Sequence, residues 1–450
     1  MNAIQQYIDL WREHGDLIKS HSPAALNALR HAAAEAATSM TLPGKGVSDY
    51  PYTDLDGMLA PDYGLNLARI PMEVDPSASF RCEVPRLSTS LFFLVNDSFR
   101  ASQTAWNGLP EGVEVSSLAA MAESDPDFIS DYYGKAADIG NPIVALNTMF
   151  CQDGFVLRVR KGVKVSKPLQ LVQILHSLMP FMAVRRILVI MEPEAEATLL
   201  VCDHTQVPEV DLMGLQTIEI FAGRNSRFDF YDLEETTDNT RRLSSLYLRQ
   251  EQGSRVLIDG ITLFNGTTRN EYFSKFEGDD ASLRLLGMAI EDGDRQQETY
   301  SRIEHMAKRC HTDELFKFVV DDRARGSFVG RIKVCEGASG TEAYQSNRNL
   351  LGSDTARMHS KPELEIYNDD VKCSHGTAIG QLDPMQLFYM RTRGLDEASA
   401  RLLLKQAFMS DVIAGVTLEP LADRLRHLVE MRFAGTLSSA CGGCRNCALS

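Results

Sequence analysis

The chain lacks the motifs that commonly mark a self-contained catalyst. It has no Gly-x-x-x-x-Gly-Lys-Ser/Thr phosphate loop, because Gly44-Lys45-Gly46 has neither the spacing nor the hydroxyl residue. No nucleotide is therefore expected to be bound by this chain. There is no His-Glu-x-x-His zinc motif, and Gly337-Ala338-Ser339-Gly340 is one residue short of a nucleophile elbow. Basic residues are in deficit. The 46 Lys and Arg against 61 Asp and Glu leave a formal net charge of −15, the wrong footprint for non-specific nucleic-acid binding. No apolar run approaches the roughly 20 residues of a membrane span. The first twenty residues carry charge throughout and lack the apolar stretch of a signal peptide. A cytoplasmic protein with no nucleic-acid or membrane partner is expected. In that compartment thiols stay reduced, so nine cysteines, an odd number, read as core residues or ligands and not as a disulfide framework.

Apolar residues suffice for a large globular core, at 44% of 450 positions. Ile4, Tyr7, Ile8, Trp11, Leu17 and Ile18 recur at near-helical spacing. Ser22-Pro23 reads as an N-cap followed by a first-turn proline, and Leu26, Leu29, Ala33 and Ala37 continue a second helical face. Residues 41–81 read as loop, and 90–95 as a buried strand. From about Gly154 the pattern changes to short β-rich runs at 156–159, 169–174, 186–190, 198–201 and 217–221. Strand starts at Thr198, Ser226, Ser254 and Ser282 fall at a constant step of 28 residues, within the solenoid range. Repeated strands without amphipathic helices between them predict a parallel β-helix. Helical spacing returns at the end. Asp383-Pro384 opens a first helix with Leu387, Phe388 and Met390 on one face and Gly394 to end it. A second helix starts near Asp396 and carries Leu402, Leu403, Ala407, Phe408, Val412 and Ile413; a third opens at Glu419-Pro420. Packing on the solenoid is the expected fate of these faces, and docking of a partner is the alternative. The resulting division is 1–135 helical and mixed, 136–382 β-helix core, 383–434 helical, and 435–450 a flexible cysteine-containing tail.

The segment with most chemistry is Cys373-Ser374-His375-Gly376. In a strand, residues two apart share a face and lie roughly 6.5 Å apart, so thiol and imidazole can serve one soft-metal centre. Closed zinc or iron–sulfur sites usually take four ligands. Either the others come from elsewhere or this is not a metal site. Cys310-His311 is a weaker candidate, because adjacent strand residues point to opposite faces. Cys82, Cys151, Cys202 and Cys335 each have an apolar residue within two positions and read as core. Cys441, Cys444 and Cys447 have the spacing of cluster and zinc ligands but lack a fourth. They are accessory metal ligands or a redox-active tail. Asp321-Asp322 and Asp369-Asp370 could be acid–base pairs, and the plainer reading is solvated turn residues.

The runs Ser360-Lys361-Pro362-Glu363-Leu364-Glu365-Ile366, Asp369-Asp370-Val371-Lys372-Cys373-Ser374-His375-Gly376, Gly380-Gln381-Leu382-Asp383, Leu387-Phe388-Tyr389 and Arg391-Thr392-Arg393-Gly394 together resemble the SufB/SufD family of SUF iron–sulfur cluster assembly proteins. They are closest in pattern to its SufD branch. Asn347-Arg348-Asn349-Leu350-Leu351, Phe328-Val329-Gly330 and Ala145-Leu146-Asn147-Thr148 extend the likeness over most of the chain. The resemblance implies a mainly β fold, a right-handed parallel β-helix flanked by N-terminal and C-terminal helical regions. It implies a non-catalytic scaffold that pairs with SufB and docks the ATPase SufC through its C-terminal helices; a homodimer in isolation is left open. It further implies that Cys373 and His375 bind a transient iron–sulfur cluster or iron shared with the partner. Nothing in the family pattern extends to Cys441, Cys444 or Cys447. The alternatives are the SufB branch, whose equivalent segment does not read Cys-Ser-His-Gly, and a carbohydrate-active β-helix enzyme using Asp321, Asp322 or Asp369.

Overall fold

A computed structural model describes residues 3–47, 49–70, 74, 87–102 and 104–436. From Phe155 to Gln381 the chain alternates between two sheets, placing one strand in each per coil, for about eight turns. Leu169–Leu175, Glu196–Thr205, Arg227–Glu235 and Arg255–Phe264 stack in a ten-stranded sheet. Phe181–Met191, Leu212–Ala222 and Thr240–Gln250 stack in a nine-stranded one. Each strand bonds in parallel to the strand one coil away, and consecutive strands lie in opposite sheets. The result is a parallel β-solenoid.

The coils are not equal. Glu196 faces Arg227, Arg227 faces Arg255 and Arg255 faces Ser282, steps of 31, 28 and 27 residues. In the other sheet Phe181 faces Leu212 and Arg241 faces Thr267, steps of 31 and 26. The constant step of 28 is therefore corrected: Thr198 pairs with Asp229, not Ser226. Register is set by the buried faces of the strands, while turns on the rims absorb insertions.

The lumen is packed with apolar side chains including Leu171, Val189, Val201, Ile218, Phe230 and Ile258. Two buried arginines cross it. Arg185 reaches Asp203 at 2.8 Å, and Arg242 bonds Asp232, so each guanidinium is paired with a carboxylate. Both outer sheet faces are covered. The N-terminal helices Ile4–Ser20 and Arg30–Thr38, with Pro142–Phe150, pack on the nine-stranded sheet. Within the last of these, Asn147 donates to the Arg185 and Leu215 carbonyls at 2.8 and 3.1 Å. That part of the family-like pattern is structural. The helices Glu397–Ile413 and Glu419–Phe433 bury Val412, Ile413, Leu425 and Leu428 against Leu257 and Leu286 of the ten-stranded sheet.

Two helical expectations need correction. Pro23 is itself the N-cap of a short helix, Ala24–Asn27, with no side-chain cap, and the face through Ala37 belongs to a separate helix. The first C-terminal helix, Pro384–Thr392, forms as expected: Asp383 accepts from the Met385 N–H at 2.9 Å, and Gly394 follows at φ +92°, where glycine carries no Cβ penalty. It does not pack, however. None of its residues is buried, and Met385, Phe388 and Tyr389 are 70%, 63% and 58% exposed. Among the described residues no helix is long and apolar enough to cross a membrane.

The solenoid ends differ. At one, Ser90–Val95 adds in parallel to Leu169–Leu175 and folds back onto the antiparallel Ser98–Ala101, while antiparallel Val113–Ser117 closes the other sheet. Phe92 plugs that end, in edge contact with Trp106 at 5.7 Å and Phe155 at 6.0 Å. At the other end Arg357–Ile366 and Val371–Gln381 are the last strands of their sheets, and among the described residues no coil follows them.

Candidate functional site

Cys373 and His375 lie on Val371–Gln381, the terminal strand of the ten-stranded sheet. Its parallel register with Thr341–Leu351 sets Cys373 beside Ala343, His375 beside Gln345 and Thr377 beside Asn347. Ala343, Gln345 and Asn347 are buried in the lumen, so the three residues above them share the lumen side. With no coil stacked beyond, Cys373 is only half-buried against the core and His375 is exposed. The opposing strand, Arg357–Ile366, contributes Met358 and Leu364 to the core edge. Between them Ser360 Oγ donates to Asn347 Oδ1 at 2.7 Å and meets Thr377 Oγ1 at 2.6 Å. The uncovered mouth of the lumen thus carries the thiol and imidazole on one wall and is tied across by hydroxyls.

One coil deeper, Gln345 Nε2 donates to Glu314 Oε2 at 2.6 Å. Burial pushes the Glu314 carboxyl up to about 7, opposed by the hydrogen bond it accepts from Gln345. Burial also raises the Cys373 thiol, partly opposed by a backbone hydrogen bond from Ala343. Cys373 is therefore a neutral thiol near pH 7, which binds a soft cation only by releasing its proton. Among the described residues no group of three or more His, Cys, Asp or Glu side chains gathers to hold a metal ion. The mouth offers two donors, one soft and one borderline.

The remaining candidates are dispersed. Cys310 is buried with its thiol toward the Gly278 carbonyl, whereas the His311 ring lies half-exposed beside Glu342, on opposite faces as expected. Cys151 and Cys202 are buried, their thiols pushed up to about 11 and about 12 by desolvation, which keeps them unreactive. Cys335 is only partly buried. Cys82, Cys441, Cys444 and Cys447 lie outside the described residues. The carboxylates do not assemble. Burial raises the Asp321 carboxyl, but the hydrogen bonds it accepts from Lys405 at 2.7 Å and the Asp322 N–H, with the nearby Lys405 and Arg401 charges, together hold it below the usual range. Asp322 occupies a tight turn at φ +48° and caps the Gly293 N–H at 3.0 Å. Both sit where the chain leaves the ten-stranded sheet, while Asp369 sits where it re-enters that sheet, on the opposite rim. A strand of about ten residues separates the rims by roughly 33 Å, and glycoside hydrolysis needs its carboxyl groups within about 10 Å.

Gln345, Glu314, Ser360 and Thr377 were not singled out from sequence. The coil spacing could not have found Gln345: a step of 28 back from 375 falls on 347, whereas the register here is 30 residues.

Residues 175–408 match the family described as SUF system FeS cluster assembly, SufBD core domain, and residues 1–171 match the SufBD protein N-terminal region. The chain is 28% identical over 412 residues to an iron–sulfur cluster assembly SufBD family protein of Synechocystis, covering 90% of each. It is 32% identical over 179 residues to the iron–sulfur cluster assembly protein SufD of Escherichia coli, covering 40% of this chain and 41% of that one. To SufD of Bacillus subtilis it is 25% identical over 336 residues, covering 72% and 74%.

Proposed function

The chain belongs to the SufBD family of the SUF iron–sulfur cluster assembly system, and on that footing we propose that it is a non-catalytic scaffold of the SufD type, pairing with a SufB-type scaffold and a SufC-type ATPase. Cys373 and His375 are its ligands to iron or nascent cluster, and the partner scaffold completes the set. The observation that carries this reading is the pair's position, side by side at the uncovered mouth of the solenoid. Two donors leave about half of a tetrahedral ligand set to be supplied. Ligation shared across an interface depends on the geometry of two subunits, so a small relative movement loosens the cargo.

The same end recruits the partner. Both terminal strands present unpaired N–H and C=O groups along one edge, and strands of a second solenoid, or of a second copy when the partner is missing, extend the two sheets. The ATPase docks on the 383–434 region, where the exposed Met385, Phe388 and Tyr389 adjoin a groove of about 420 Å³ lined by Leu350, Ala378, Leu382, Leu404 and Phe408. Lys405 to Asp321 at 2.7 Å, and Lys317 to Asp411 and the Phe408 carbonyl, tie the neighbouring helix to the solenoid. Movement of a docked ATPase thereby reaches the sheet that bears Cys373. Cys441, Cys444 and Cys447 take no step in this mechanism. The test is maturation of iron–sulfur enzymes in cells that depend on this chain. Cys373→Ala and His375→Ala are expected to lower it while the variant accumulates and melts like the wild type; undiminished maturation in both variants would overturn the assignment.

A further inference from the structure

A histidine ligand binds through one ring nitrogen, and the other needs a hydrogen-bond partner that fixes the tautomer and the ring plane. His375 stands next to a built candidate. Gln345, its register neighbour on the preceding coil, is 3% exposed, and the two strands are about 4.8 Å apart. The amide is oriented by its surroundings. Nε2 is spent on Glu314 at 2.6 Å, and a carboxylate oxygen accepts there, so the NH2 end of the amide faces Glu314. Oε1 is left buried without a hydrogen-bond partner, an unfavourable arrangement that a donor would relieve. Space for this amide is provided on purpose across the lumen. A Cβ at Gly330 would lie 2.4 Å from Gln345 Nε2 and 2.6 Å from Phe328 Cζ, and the Gly330 backbone itself shows no positive φ. The glycine clears room for this amide and for the Phe328 ring beside it, and has no conformational need of its own.

We propose that Gln345 is the positioning residue of His375: its Oε1 accepts the imidazole N–H, selects one neutral tautomer, and leaves the other ring nitrogen facing the mouth for iron. Glu314 and Gly330 act through Gln345, one holding its amide and the other making room for it. What the free nitrogen is used for rests on the proposed ligand role of His375; the Gln345 contact does not.

The test is a long-range ¹⁵N–¹H spectrum of the full chain with labelled histidines, in which His375 is identified by the signals lost in His375→Ala. A single neutral tautomer is expected in the wild type and a mixture of both in Gln345→Leu. Gly330→Ala, which displaces the amide without altering its chemistry, is expected to give the same mixture and serves if Gln345→Leu does not fold. Glu314→Gln, which keeps an acceptor for the amide, should preserve the wild-type tautomer. Identical tautomer populations in the wild type, Gln345→Leu and Gly330→Ala would overturn the inference. Fe(II) titration of the assembled complex separates the two readings. Gln345→Leu should weaken binding ~10–100-fold, as removal of such supporting contacts does. Unchanged binding in Gln345→Leu alongside weakened binding in His375→Ala overturns the inference and leaves the ligand assignment standing. Unchanged binding in His375→Ala overturns the ligand assignment, and the tautomer comparison still decides the Gln345 contact.

Discussion

The two ends of the solenoid are built from the same kind of parallel strand and finish in opposite ways. At the first, the chain turns back on itself: Ser98–Ala101 and Val113–Ser117 run antiparallel to the strands they cover, and Phe92 and Phe155 are sealed in the lumen there. At the last, Val371–Gln381 and Arg357–Ile366 stand uncovered, with Ile379 and Ile366 46% and 44% exposed. A solenoid needs a cap at each end to satisfy its edges. The described residues cap the first end and leave the last uncovered, and Cys373 and His375 sit at the uncovered one. The capped end buries its aromatic side chains, and the open end leaves a thiol and an imidazole at the mouth of the lumen.

Substitutions at the two ends should expose that division. Phe92→Ala at the capped end is expected to cost about 3–5 kcal/mol in chemical denaturation, the usual loss for a buried phenylalanine. Ile379→Ala at the open end should cost under ~1 kcal/mol in the isolated chain and yet reduce co-purification of the partner scaffold. Equal losses at both ends would erase the contrast.

A slightly smaller effect belongs to the helical cover between the ends. Asp259 is fully buried on the ten-stranded sheet, where desolvation, weakly opposed by Arg284, pushes its carboxyl up to about 7. In the unfolded chain the group titrates near 3.9. Between those values the native state holds a proton that the unfolded state has released. The contribution of this group to stability is therefore full below about pH 4 and is lost as pH rises through 7. Asp259→Asn should remove this dependence, melting above the wild type at pH 8 by an amount worth at most about 4 kcal/mol and showing no such advantage at pH 4. Parallel melting curves across that range would show that the carboxyl ionises freely in the fold. The smallest effect is expected at Lys405→Ala, about 1 kcal/mol or less because the ion pair with Asp321 is only partly buried. It should still weaken the coupling of ATP hydrolysis to cluster release, measured as iron released per ATP in the assembled complex.

Much of this was legible in the sequence. Strand runs such as 90–95 and 156–159 fall inside observed strands, and Asp383, Asp396 and Gly394 act at helix ends as their chemistry suggests. The 28-residue step failed because rim turns vary in length while the register follows buried faces, so spacing reports the coil only on average. The exposure of Pro384–Thr392 was not legible either: Leu387, Phe388 and Met390 read alike whether a face packs on its own chain or waits for another. At the site, the two-residue period placed Cys373 and His375 on one side, but only the register across coils places Gln345 beneath His375 and Glu314 beneath Gln345. Polar lumen residues a coil apart leave no local pattern, since their meaning lies in the stacking.

The central claim is that the open end carries a site completed by a partner, and it is tested most directly by anaerobic purification of the wild-type and Cys373→Ala/His375→Ala chains with their cellular partners, with subunit stoichiometry, iron and sulfide measured on the same samples. The account predicts unchanged subunit ratios with iron and sulfide lost from the variant. Full retention of iron and sulfide by the variant complex would contradict it.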